Sequence, residues 1–86
     1  MEAFIVSFRR GAKTQDERYI ILEVDGISSD GEAARLIGRR VVWRSPNGSF
    51  EVRGKIIRVH GKRGRVIARL RKPLPGQALG TKVLIL

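Results

Sequence analysis

The sequence predicts an all-β fold: a small closed antiparallel barrel of six strands with one short helix. Two observations carry this. Apolar residues recur with a period of two more often than 3.6. The alternating segments are short, and Gly, Pro, Asn and Asp turn signals bound them. Short strands with so little helix bury two apolar faces only by curling on themselves, which also removes exposed edges. At 86 residues the chain supports one core, so residues 1–86 form a single domain. An apolar fraction of 42% is enough to fill that core.

Phe4, Val6 and Phe8 alternate with Ile5, Ser7 and Arg9, so residues 3–9 read as a strand that Gly11, Ala12, Lys13 and Thr14 interrupt. The second strand is Tyr19 to Val24, with Ile20, Leu22 and Val24 on one face and Asp25-Gly26 as its turn. From Ser29 to Ile37 the pattern turns helical. Ser29 or Asp30 caps it, Glu32 suits the first turn, Ala33, Ala34, Leu36 and Ile37 are the apolar side, and Gly38 stops it. Arg40 to Arg44 is a strand around Val41, Val42 and Trp43, and Ser45-Pro46-Asn47-Gly48 is the strongest turn signal in the chain. Phe50 to Val59 returns, with Gly54 inside it as a bulge or a point of close approach. Gly61-Lys62-Arg63-Gly64 turns the chain into a strand whose inward set is Val66, Ala68 and Leu70. Pro73 and Pro75 interrupt the ladder, residues 76–80 form a loop or one helical turn, and Lys82 to Leu86 is the last strand.

The net charge of +10 and a pI near 11.5 point to a polyanionic partner, nucleic acid first. A membrane surface is disfavoured, because no basic stretch has a helical apolar stripe and no apolar run approaches about 18 residues. The charge is not spread evenly. Residues 39–72 hold Arg39, Arg40, Arg44, Arg53, Lys55, Arg58, Lys62, Arg63, Arg65, Arg69, Arg71 and Lys72 against the single acid Glu51, a net of +11, while the rest of the chain nets −1. These twelve bases, with His60, are the candidate RNA-binding residues. Arg65, Arg69 and Arg71 project opposite the inward set at roughly 7 Å per two residues, near the spacing of phosphates along one strand. The plainer reading is a solvated strand face. Arginine's fork takes two phosphate oxygens at once and also stacks on bases. The aromatics Phe4, Phe8, Tyr19, Trp43 and Phe50 fall mostly on apolar faces, so a stacking platform is disfavoured; Trp43 stays open between core and RNA contact.

No enzyme is expected. His60 has no Ser, Asp or Cys near it in sequence and reads as a turn residue or a hydrogen-bond donor to RNA rather than a base. The acids show no metal-ligand spacing, cysteine is absent, and Gly61 to Gly64 is too short for a phosphate-cradling loop. No cofactor or metal is expected, and the free chain is expected to be a monomer. The N-terminus lacks the basic start and long apolar centre of a signal peptide, so a cytoplasmic protein is expected.

The string from Gly54 to Leu70, with Arg58-Val59-His60-Gly61, Gly64-Arg65-Val66 and a basic strand, then Leu74-Pro75 and Ala78-Leu79-Gly80, resembles the large-subunit ribosomal protein family designated thirty-five Ae of archaea and eukaryotes. The likeness extends through Arg10-Gly11, Gln15, Ile20 to Gly26 and Leu36 to Arg40. It implies a six-stranded antiparallel barrel of the translation-protein type, in the ribosome, with large-subunit ribosomal RNA and neighbouring ribosomal proteins as partners. Pro73 stands where eukaryotic members have asparagine, and Leu70 where phenylalanine is common. The eukaryotic tail after the final strand is missing, so an archaeal member is expected. Two other readings keep the charge: a free-standing SH3-like or KOW-type nucleic-acid-binding domain, and a ribosome-maturation factor.

Overall fold

The computed structural model describes residues 1–10, 15–46, 48–61 and 63–86. In chain order it forms β1 (Glu2–Arg10), β2 (Gln15–Val24), α1 (Asp30–Ala34), β3 (Arg40–Arg44), β4 (Glu51–His60), β5 (Arg65–Leu70), a 3-10 turn (Gly76–Ala78) and β6 (Lys82–Ile85). The six strands close into a barrel in the order β1-β2-β5-β4-β3-β6, every neighbouring pair antiparallel. The expected barrel with one short helix is the observed one. The breaks expected at Gly11 to Thr14, and the turn residues Asn47 and Lys62, lie outside the described residues.

The interior is filled by alternate residues of the strands, among them Ile20, Leu22 and Val24 of β2, Val41 and Trp43 of β3, and Val66, Ala68 and Leu70 of β5. The even alternation read along β1 does not hold. Ile5 pairs with Leu22 and Ser7 with Ile21, so Val6 is an extra residue that reverses the parity. Ala3 and Ile5 point inward before it and Phe8 after it, while Phe4 is left on the outside. Strand β2 begins at Gln15, earlier than the apolar pattern indicates, because its polar start pairs with β1 through Arg10 and Gln15.

Helix α1 is shorter than the stretch that reads as helical. Ser29 caps it, its Oγ accepting from the Glu32 amide at 3.3 Å and donating to the Glu32 carboxylate at 3.1 Å. Ala33 and Leu36 enter the core, whereas Ala34 and Ile37 stay exposed. Gly38 ends the turn at φ +92°, and its amide donates to the Ile56 carbonyl, seating the helix against β4.

Gly54 is a point of close approach, and the bulge in β4 lies elsewhere. Ile56 pairs with Ala68 and Arg58 with Ile67, which makes Ile57 the extra residue. At Gly54 a Cβ would stand 2.3 Å from the Arg69 carbonyl oxygen and 2.8 Å from Leu70 Cδ2. Only a residue without a side chain lets β4 and β5 meet there. Gly54→Ala is expected to destabilise the chain by about 1–3 kcal/mol, read as a lower urea midpoint. An unchanged midpoint would show that the two strands can part at no cost.

Candidate nucleic-acid interface

Cross-strand register decides which of the twelve bases meet. Arg40 of β3 lies opposite Lys55 of β4, and Lys55 lies opposite Arg69 of β5. Three cationic side chains therefore stand in one row across three neighbouring strands, with directly opposite Cβ atoms about 5 Å apart. The row ends on Tyr19 of β2, whose ring has the Arg69 guanidinium 6.0 Å from its centroid. Among the described residues, no carboxylate lies within salt-bridge distance of Arg40, Lys55 or Arg69.

A second row lies beside the first. Arg53 is opposite Val42, and the Arg71 amide donates to the Arg53 carbonyl at 2.9 Å, carrying the pairing one residue past the end of β5. Between the rows runs an open groove with a volume of about 700 Å³. Arg40, Arg53, Lys55, Arg69, Arg71 and Arg18 line it, together with Val42, Gly54 and Leu86. Arg18 belongs to the polar start of β2, and sequence reading missed it. Nothing local marks it, because only the pairing of β2 with β5 brings it to the groove.

Like charges placed directly opposite one another oppose folding, and salt relieves that repulsion because the screening length falls from about 10 Å at 0.1 M to about 3 Å at 1 M. The melting temperature of the free chain is therefore expected to rise with added sodium chloride. A fall, or no change, would mean that the row is already neutralised.

Glu51, the one acid in the basic stretch, holds two arginines. Its Oε2 accepts from Arg44 Nε and its Oε1 from Arg53 Nη2, each at 3.3 Å. These hydrogen bonds, Arg53 first and Arg44 second, keep the Glu51 carboxyl below its ordinary range. A depressed carboxyl contributes stability that is present above its unfolded pKa and is lost as pH falls through the folded one. Any advantage in melting temperature of the wild type over Glu51→Gln should thus be seen at pH 7 and shrink as the pH falls below about 4.3. A constant difference across that window would assign it to something other than ionisation.

The remaining candidates are apart from the groove. Arg65, at the start of β5, sits between His60 of β4 and Glu23 of β2, while Ile67, which separates it from Arg69 on the outer face, is buried beside Ile21. The ladder read along β5 therefore splits, with Arg69 and Arg71 in the groove and Arg65 at the far end. Arg58 is exposed opposite Ile67, and Arg63 is exposed in the turn beyond His60. Arg39 and Lys72 are exposed just outside β3 and β5, and Lys62 lies outside the described residues.

Trp43 is a core residue. It is 2% exposed, and its Nε1 donates to Thr81 Oγ1 at 2.8 Å. Phe8 is buried with it, but Phe4 and Phe50 are exposed outside the core. Phe50 rests against Trp43 with ring centroids 5.6 Å apart.

The profile of the family described as Ribosomal protein L35Ae matches residues 1–86. The chain belongs to that family. Among L35Ae relatives, the large ribosomal subunit protein eL33 of Methanopyrus kandleri is 47% identical over 94% of this chain and 90% of its own length. The eL33 of Aeropyrum pernix is 29% identical over 88% of this chain and 80% of its own. That of Caenorhabditis elegans is also 29% identical, over all of this chain and 80% of its own. The resemblance centred on Gly54 to Leu70 thus extends over the whole chain, and the first of these L35Ae relatives is archaeal.

Proposed function

We propose that this chain is a structural constituent of the large ribosomal subunit, in the cytoplasm, and that it binds ribosomal RNA through the groove across β3, β4 and β5. The observation that carries the RNA reading is the row Arg40, Lys55 and Arg69, three directly apposed cations with no carboxylate among them. Such an arrangement opposes folding when free and is relieved when a phosphate backbone lies across it. Arg53 and Arg71 address the neighbouring phosphates, and their planar forks fix the register of the RNA on the barrel. Val42 and Gly54 also line the groove and bring no acid to it. The names of the L35Ae relatives support the ribosomal setting.

Sedimentation of cell extract tests this. The chain should remain stoichiometric with large subunits at moderate salt. Recovery only with subunit precursors would favour a maturation factor, and recovery with DNA a free-standing nucleic-acid-binding barrel; either would end the structural reading.

A further inference from the structure

We infer that the barrel carries a second docking surface, on the side facing away from the basic groove, for a basic extended segment of a neighbouring protein. This rests on the RNA reading above, because it takes the β3–β4–β5 face to be the one turned toward RNA. In the closed ring β1 lies across from β4 and β2 across from β3. With the groove on RNA, the β1–β2 face points outward. There a second open groove of about 600 Å³ is lined by Phe4, Glu23, Asp25, Gly26, Ile27 and Ser28.

Its chemistry is the opposite of the first. Phe4 stands outward in β1 between Glu23 of β2 and Lys82 of β6, and is 42% exposed because the Val6 bulge separates its parity from that of Phe8. Ile27, only partly buried against the core, adds a second apolar surface to the same groove. The wall is firm: the Asp25 amide donates to the Glu2 carbonyl and the Ile27 amide to the Val24 carbonyl, both at 3.1 Å. Lys82 pairs with Glu2 at 3.5 Å, whereas among the described residues neither Asp25 nor Glu23, which has Arg65 across the ladder in β5, lies within ion-pair distance of a base.

Two carboxylates outside any ion pair repel a phosphate backbone, so RNA is the wrong occupant. A cationic polypeptide fits. Glu23 and Asp25 are alternate residues, about 7 Å apart along an extended chain, so lysines or arginines at alternate positions of an extended segment can meet both. An apolar side chain of the same segment then covers Phe4 and Ile27, giving the contact an anchor that charge alone lacks.

Carbodiimide coupling of glycine ethyl ester to carboxylates, mapped by mass spectrometry, tests this in three states: the free chain, the chain bound to deproteinised large-subunit RNA, and the native large subunit. Glu23 and Asp25 should be labelled in the first two and lose labelling in the third. With the ester omitted, carbodiimide should join Glu23 or Asp25 to a lysine of another protein wherever the segment supplies lysine. Labelling that persists in the native subunit overturns the inference, as does protection by RNA alone, which would make the groove an RNA contact. A chain absent from native subunits overturns the ribosomal reading together with this one, whereas a chain present with both carboxylates open overturns this one alone.

Discussion

Replacing Arg40, Lys55 and Arg69 together by alanine is expected to weaken binding to deproteinised large-subunit RNA about a hundredfold, taking roughly 1 kcal/mol for each exposed ion pair with a phosphate. The dependence of log affinity on log salt should flatten by about two to three units, close to one for each phosphate contact removed. Stability should not fall with it. The three side chains are exposed and apposed, so their removal relieves repulsion and leaves the core untouched. Weaker binding with an equal or higher melting temperature would place the loss at the interface. Replacing Arg58, Arg63 and Arg65 instead is the control, since these lie outside the groove and should shift the slope less.

Trp43→Ala is expected to cost about 3–5 kcal/mol, a large share of the roughly 5–15 kcal/mol that holds a domain of this kind folded. The indole fills the barrel interior at 2% exposure, supports Phe50 from below, and reaches Thr81, whose hydroxyl in turn donates to the Ala78 carbonyl. That relay ties β3 to the turn entering β6, so its loss loosens the closure of the barrel as well as emptying a cavity. Trp43→Phe keeps most of the volume and drops the hydrogen bond, and should cost nearer 1 kcal/mol. Urea midpoints followed by circular dichroism separate the two. Equal midpoints for both variants would mean that the link to Thr81, not the packing, carries the residue's contribution.

The fold was legible where alternation is uninterrupted. Ile20, Leu22 and Val24, and Val66, Ala68 and Leu70, announce an inward face that the barrel uses unchanged. It was misread where a bulge shifts parity, since Val6 and Ile57 look like any other apolar strand residues and only the partner strand reveals the extra residue. Gly54 could be recognised as special from its place inside a strand, but whether it serves a bulge or a close approach depends on Arg69 across the ladder. The same limit governs the site. Concentration of charge in residues 39–72 is a property of the chain and is visible in it. The division of those charges is not, because Arg69 owes its cationic neighbour to β4, Arg65 owes Glu23 to β2, and Arg18 enters the groove through a strand whose polar start has no apolar period.

Ultraviolet crosslinking of intact large subunits, with mass spectrometric mapping of nucleotide-bearing peptides, tests the central claim most directly. Crosslinks should fall on β3, β4 and β5 at Arg40, Arg53, Lys55, Arg69 and Arg71, with β1 and the Glu23 to Ser28 segment clear of RNA. Crosslinks concentrated on β1, β2 and β6, with the groove residues bare, would contradict it.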